Sequence, residues 1–140
     1  MEGNGKKVVW DFEFNARKSN IHRRPDAILE DTEKKEILIV DMACPMECNV
    51  LQKTTEKLRN YGQLAYEIRE RRPGYRVSIV PLVIGCLGAG VSSFKKYARK
   101  IIDDEKLLER TTLEMVKTIV FNSETIMRKV LSGLVQPLYN

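Results

Sequence analysis

Two aspartates, Asp26 and Asp41, border two short apolar segments that a charged turn separates. Asp26 precedes the segment 27–29, and Asp41 follows the segment 37–40. If these segments pair as a β-hairpin, both carboxylates lie at the same rim of one sheet. Carboxylates in that arrangement bind a hard divalent cation such as Mg²⁺ or Mn²⁺, and such cations support phosphodiester hydrolysis. The pair therefore predicts a metal-dependent nuclease site.

Asp41 directly follows four consecutive apolar residues, so we expect its carboxylate where a central strand reaches the edge of the sheet. A carboxylate there is costly unless it is paired, hydrogen-bonded or bound to a metal. The alternative interpretation, for Asp41 and for Asp26 alike, is an aspartate that caps a loop. Two such aspartates in neighbouring strands favour a site.

A lysine in the following helix is the candidate cation of this site. From residue 49 to residue 71 the chain has no proline, and its apolar residues recur at helical intervals, which predicts an amphipathic helix. At 100° per residue, Lys57 falls within the apolar arc, between Leu64 on one side and Ile68 with Tyr61 on the other. A lysine in that position either extends its amine to water or meets an anion. In the second case Lys57 becomes a partner of the two aspartates.

The elements that must position these side chains predict an α/β fold, a small mixed β-sheet flanked by helices. Strands are expected at 8–12, 26–29, 37–42 and 75–84, and helices at 49–71 and 92–102, with one long helix or two shorter ones within 104–132. The apolar run of the last strand is typical of an interior strand covered on both faces, although Pro81 argues against that place. The order is β-β-β-α-β-α followed by C-terminal helices.

Size and composition set the class of protein. With 140 residues, 43% of them hydrophobic, the chain is large enough for one domain with a buried core. We expect residues 1–7 to be a flexible tail and residues 8–140 to form a single domain, with a core at 8–102 and a C-terminal helical segment at 103–134. The net charge of +5 favours binding to a polyanion. Three cysteines without disulfide-framework spacing, and no signal peptide, indicate a reducing compartment.

Three other kinds of feature match the sequence poorly. Cys44, Cys48 and His22 lack the spacing and the fourth ligand of a structural zinc site. Residues 85–90 (GCLGAG) lack both the G-x-G-x-x-G order and the lysine of a P-loop, so no dinucleotide cofactor is expected. No apolar run reaches the ~20 residues that span a bilayer, so no membrane association is expected.

Four stretches of the chain carry a resemblance to a known family. They read RRPDAILEDTEKKEILIVDMACP, the upstream WDF, EKLRNY in the following helix, and IVPLVIGCLGAG. Together they resemble the restriction-endonuclease-like domain at the C-terminal end of certain non-LTR retrotransposon proteins, a branch of the PD-(D/E)XK nuclease superfamily. The resemblance covers roughly residues 8–102 and implies a metal-dependent DNA endonuclease with a restriction-endonuclease-like core.

The resemblance implies roles for individual residues. Asp26 and Asp41, which are 15 positions apart, match the two acids that bind metal and act in catalysis. Superfamily members typically carry a lysine two residues after the second acid, where this chain has Ala43. In the retrotransposon branch the lysine comes instead from the next helix, just before a tyrosine, and Lys57 with Tyr61 matches that pattern. Lys57 is thus the implied catalytic lysine, and Tyr61 a further catalytic candidate.

Two more groups are implied, and one is missing. Asp11 matches an acid often seen upstream in such domains, and the main-chain carbonyl of Met42 is implied as an additional metal ligand. The branch often has another acid soon after its WD strand, where this chain reads FNAR at 14–17. That departure keeps an alternative function open: a catalytically inactive or domesticated module that retains the nuclease fold and binds nucleic acid or a protein.

DNA is the expected partner, and an intracellular, nuclear location is expected with it. Basic residues near the aspartates are candidates for contacts with the DNA backbone, although a solvated loop explains most of them equally well; the candidates are Arg17, Lys18, His22, Arg23, Arg24 and Lys53. The segment 107–134 has more apolar residues than one helix face needs. It either buries a second copy of the chain, giving a homodimer through the C-terminal helices, or wraps its own domain.

Overall fold

The computed structural model describes residues 2–3, 5–10, 24–45 and 49–139, and the burial of side chains at 5–10, 24–45 and 49–122. Its strands are β1 (Glu2–Gly3), β2 (Lys6–Trp10), β3 (Ala27–Asp31), β4 (Glu36–Ala43) and β5 (Arg76–Val83). Its helices are α1 (Val50–Asn60), α2 (Gly62–Arg71), α3 (Val91–Ala98) and α4 (Glu105–Tyr139). The predicted class is confirmed: the fold is α/β, with a small mixed sheet and helices packed on it.

The sheet has the order β1-β2-β3-β4-β5. The pairs from β1 to β4 are antiparallel, and β4 pairs with β5 in parallel. The predicted hairpin is β3 with β4, closed by a turn in which the Asp31 carboxylate accepts the backbone N–H groups of Glu33 and Lys34 at 3.0 and 3.1 Å. Lys35 completes the turn with a φ of 50°. A local turn of this kind fixes the register, and the register fixes which side chains share a face.

The N-terminal segment expected as a flexible tail contributes strand residues to this sheet. Gly5, with a φ of 74°, lies between β1 and β2. Its carbonyl accepts both the backbone N–H and the hydroxyl of Thr32, each at 2.9 Å. Polarity and glycine content suggested a tail, but the backbone of this segment finds its hydrogen-bond partners in the β3–β4 turn.

The expected interior strand, β5, lies instead at the edge of the sheet. Proline lacks an N–H and cannot donate in the middle of a sheet, so Pro81 is tolerated here because only one side of the strand is paired. The guanidinium of Arg69 on α2 donates to the Val77 carbonyl of β5 at 2.7 Å. Both features protect the edge from pairing with another strand.

The single helix predicted over 49–71 is interrupted at one residue. Tyr61, with φ −94° and ψ 1°, separates α1 from α2. Helical backbone bonds continue across it, from Tyr61 N–H to the Lys57 carbonyl at 3.1 Å and from Ala65 N–H to the Tyr61 carbonyl at 2.9 Å. Gly62, a poor helix former, follows directly. The i→i−4 bonding of one helix therefore continues from α1 into α2.

The core between these helices and the sheet is made of alternate strand residues. Residues 37, 39 and 41 of β4 share a face, because successive side chains on a strand point to opposite sides. The buried cluster on that face contains Ile28, Ile37, Ile39, Tyr61, Leu64, Ala65, Ile68 and Val77. Each large aliphatic side chain buried there stabilises the fold by about 1.5–3 kcal/mol. The same alternation directs Asp41 toward α1.

The chain divides into two compact units. The first consists of Met1–Ala43 and Leu51–Val83, and the second of Cys44–Val50 and Ile84–Asn140. In the second unit α3 packs against α4, with Phe94, Ala98 and Leu108 buried. The C-terminal segment is one long helix, α4, while α3 ends at Ala98, before the predicted boundary. No helix in the described part of the chain is long and apolar enough to cross a membrane.

Candidate active site

The hairpin brings the two aspartates together. Ala27 of β3 pairs with Val40 of β4, so Asp26 and Asp41 are the next opposed residues at the open end of the ladder. Ile28 and Ile39 lie in the core between the sheet and α2, and alternation therefore points both aspartates to the same face. The arrangement predicted from the sequence is thus present for Asp26 and Asp41.

Reciprocal hydrogen bonds join the two carboxylates to the backbone. The Asp26 N–H donates to Oδ1 of Asp41 at 3.2 Å, and the Met42 N–H donates to Oδ2 of Asp26 at 2.7 Å. Each aspartate side chain therefore accepts a main-chain amide of the opposite strand. These bonds fix the direction of both side chains, because a charge-assisted acceptor is stronger than a neutral one.

Lys57 completes the cluster from α1. Its ammonium donates to Oδ2 of Asp41 and forms an ion pair with it. The two side chains are only 16% and 12% exposed, so the pair is shielded from water. Of the two outcomes open to a lysine on the apolar arc, water or an anion, the structure shows the anion.

Burial and the neighbouring charges shift the acid–base behaviour of the site. Burial raises the pKa of the Asp41 carboxyl; the hydrogen bond and charge of Lys57 oppose that rise, and the Asp26 carboxylate adds to it. Desolvation disfavours an ionised carboxyl, whereas a nearby cation favours it. Lys57 therefore keeps Asp41 closer to its ionised form than burial alone would allow.

Tyr61 connects the helix junction to the segment before β3. Its hydroxyl donates to the main-chain carbonyl of Arg24 at 3.3 Å, two residues before Asp26. Burial, reinforced by the charges of Asp41 and Asp26, raises the pKa of Tyr61 to about 12. The phenol is therefore a neutral hydrogen-bond donor at physiological pH, suited to holding the backbone and not to taking up a proton.

The remaining predicted residues are distributed unevenly. Lys53, one turn before Lys57, has a 44% exposed side chain and forms a 3.5 Å ion pair with Glu56. Arg24 is exposed beside the hairpin. Ala43, where the superfamily usually has lysine, ends β4. The other predicted residues lie outside the described residues; they are Asp11, Arg17, Lys18, His22 and Arg23.

Three main-chain groups also contribute to the site, and the residue patterns of the sequence did not reveal them. The amides of Asp26 and Met42 orient the carboxylates, and the carbonyl of Arg24 receives Tyr61. Every residue carries an amide and a carbonyl, so residue type gives no signal for them; only a correct hairpin register could have indicated the two amides.

The donor set fits a hard cation. Asp26 and Asp41 offer carboxylate oxygens at one end of the sheet, and Oδ1 of Asp26 accepts no hydrogen bond within the described part of the chain. Mg²⁺ is commonly held by one or two carboxylates, with its remaining positions filled by water and substrate phosphate. Asp26 and Asp41 could supply these two carboxylates. In the described part of the chain, no group of three or more His, Cys, Asp or Glu side chains is arranged to hold a metal ion.

Comparison with known proteins does not assign the chain to a family. No protein-family model matches it, and no curated protein matches it either. The resemblance to the retrotransposon endonuclease domain therefore depends on the motifs quoted above, and the chemistry depends on the site itself.

Proposed function

We propose that the chain is a metal-dependent DNA endonuclease of the PD-(D/E)XK type, similar to the endonuclease domain of non-LTR retrotransposon proteins. The observation that carries the proposal is the ion pair of Lys57 with Asp41, whose carboxylate also accepts the Asp26 N–H. A lysine within the apolar arc of a helix, ion-paired to a carboxylate at a sheet end, is costly to bury. Such an arrangement is therefore more typical of a functional site than of a structural contact.

Each group has a role under this proposal. Asp26, Asp41 and the carbonyl of Met42 would hold Mg²⁺ or Mn²⁺, which supplies Lewis-acid stabilisation of the phosphate and a water of lowered pKa. Lys57 would orient the attacking water or stabilise the negative charge that develops on the phosphate. Tyr61 would hold the Arg24 carbonyl through its hydrogen bond and so fix the backbone that leads to Asp26. Under the same proposal the substrate is DNA and the location nuclear.

Plasmid nicking with and without Mg²⁺ tests the proposal. Asp26→Asn is the sharpest variant, because its amide oxygen still accepts the Met42 N–H while the carboxylate charge is lost. We expect this variant to lose Mg²⁺-dependent nicking with an unchanged circular dichroism spectrum. Glu33→Gln, an exposed residue of the hairpin turn, removes the same charge away from the site and should retain activity. Undiminished cleavage by Asp26→Asn would refute the proposal.

A second candidate is a module that keeps the fold and binds nucleic acid or a protein without cutting. The sequence FNAR at 14–17, where the branch it resembles often has another acid, favours it. Calorimetric titration with Mn²⁺ separates the candidates. The nuclease should show a site that Asp26→Asn removes and Glu33→Gln leaves intact, whereas the binding module should show no such site.

A further inference from the structure

Helix α3 presents three different faces, set by the spacing of its residues. Phe94 and Ala98, four positions apart, are buried and anchor the helix. Lys95 and Arg99, one residue further on, turn toward acids of α4. Their partners are Glu109, at 2.5 Å from the ammonium of Lys95, and Glu105, at 3.0 Å from Nε of Arg99. These two cations are therefore neutralised within the second unit.

Two cations of the segment remain, Lys96 within α3 and Lys100 two residues after its end. At 100° per residue Lys96 is rotated by roughly 200° from Phe94, opposite the buried anchor. Both residues are exposed, and neither forms a salt bridge with any described residue. Their ammonium groups lie 5.6 and 5.9 Å from the centre of the Tyr97 ring. We call these two residues the α3 cation pair.

The acids of α4 neutralise Lys95 and Arg99, and none of the described acids reaches the α3 cation pair. Both ammonium groups lie close enough to the Tyr97 ring for cation–π attraction. Two lysines and a partly exposed aromatic ring in one patch are the groups that contact the backbone and bases of nucleic acids.

We propose that the α3 cation pair is a nucleic-acid contact surface, which binds the phosphate backbone of the DNA. The proposal rests on the proposed function in one respect, that DNA is the substrate. Its support is the combination of two exposed lysines without carboxylate partners among the described residues and one tyrosine ring, 5.6 and 5.9 Å from their ammonium groups. The proposal requires no placement of α3 relative to the aspartates. The pair contributes affinity and orientation, not chemistry.

The size of the effect follows from counterion release. For duplex DNA, each phosphate contact contributes about −0.9 to the slope of log K against log salt concentration. Two contacts therefore contribute about −1.8, which corresponds to about a 60-fold difference in affinity between 1 M and 0.1 M salt. Lys96→Gln/Lys100→Gln should weaken duplex binding by about that factor at 0.1 M salt and make the slope shallower by about 1.8.

The experiment is fluorescence anisotropy with a labelled duplex over a series of salt concentrations, in Ca²⁺ so that cleavage does not interfere. Lys106→Gln/Lys117→Gln is the matched control, because it removes two exposed lysines from α4 with the same change of charge. We expect this control to bind much more tightly than the α3 double variant and to have a nearly wild-type slope. Equal losses in both double variants, or no loss in the α3 variant, would overturn the proposal.

The outcomes also separate this inference from the proposed function. If the wild type binds and cleaves DNA and the α3 variant binds equally well, only the inference fails. If binding depends on the α3 cation pair but no divalent ion supports cleavage, only the nuclease assignment fails. If the wild type binds no duplex but sediments with phosphatidylserine vesicles in a manner that depends on Lys96 and Lys100, the pair binds a lipid surface and the inference is overturned. A wild type that binds neither overturns both proposals.

Discussion

Replacing Lys57 by methionine tests the shielded ion pair directly. Methionine keeps the apolar stem within the arc of α1 but leaves the Asp41 carboxylate, 12% exposed, without its cation. Loss of one partner from a buried pair costs about 3–5 kcal/mol, and the residual exposure here places the expected loss near 3 kcal/mol. At a urea m-value of about 2 kcal/mol per M, the unfolding midpoint should fall by about 1.5 M.

The loss should depend on pH, with a defined sign. Burial raises the pKa of Asp41 in the folded protein above its unfolded value of 3.8. An acid with a raised folded pKa destabilises the fold as pH increases from the unfolded pKa through the folded one. Without Lys57 the pKa of Asp41 in the folded protein rises further. The loss of unfolding free energy in Lys57→Met should therefore be small near pH 4 and reach its full size only at higher pH.

A double-mutant cycle isolates the charge from the packing. Asp41→Asn/Lys57→Met removes both charges, and its free energy of unfolding should lie within about 1 kcal/mol of the wild type. Urea unfolding followed by far-ultraviolet circular dichroism at pH 4, 5.5 and 7 provides the comparison. The inferred burial of the pair would be refuted if Lys57→Met lowers the free energy of unfolding by less than about 0.5 kcal/mol, one-sixth of the expected loss. A loss that does not change with pH would refute it as well.

Three further predictions concern the scaffold of the site. The pKa of Tyr61 is raised from 10.0 to about 12, so about 2–3 kcal/mol of the free energy of unfolding should be lost between pH 10 and pH 12. Tyr61→Phe should lack this pH-dependent loss, and identical pH profiles of the two proteins would contradict the assignment. Gly5→Ala should lower the free energy of unfolding by about 1–2 kcal/mol, because a φ of 74° is unfavourable for alanine and its Cβ would lie 2.8 Å from the Thr32 hydroxyl. A melting temperature equal to that of the wild type would show that the N-terminal pairing is unimportant. Leu64→Ala, at a position 1% exposed in the core, should cost about 2–5 kcal/mol in urea unfolding, and a loss below 1 kcal/mol would contradict the packing of α2 on the sheet.

Several elements could be predicted from the sequence because their causes are local. The β3–β4 hairpin follows from two apolar segments and a charged turn, and its register alone brings Asp26 beside Asp41. The helical stretch follows from its apolar period, which also placed Lys57 within the apolar arc. Pro81 carried a correct signal about β5, because a residue without an N–H is suited to an edge strand.

Other features depend on contacts between residues far apart in the chain, and residue patterns do not encode them. The Gly5 carbonyl meets Thr32, 27 positions away, and the Tyr61 hydroxyl meets the Arg24 carbonyl, 37 positions away. Whether Lys57 would meet water or an anion was open in the sequence, since both outcomes satisfy a lysine on an apolar arc. Tertiary structure decided it: α2 packs against Ile39 and Val77, and the amine of Lys57 on α1 meets Asp41 at the end of the hairpin. Pairing the two charges lowers the cost of burying them. The sequence by itself thus determined which groups could do chemistry, and the packing of helix on sheet determined which of them meet.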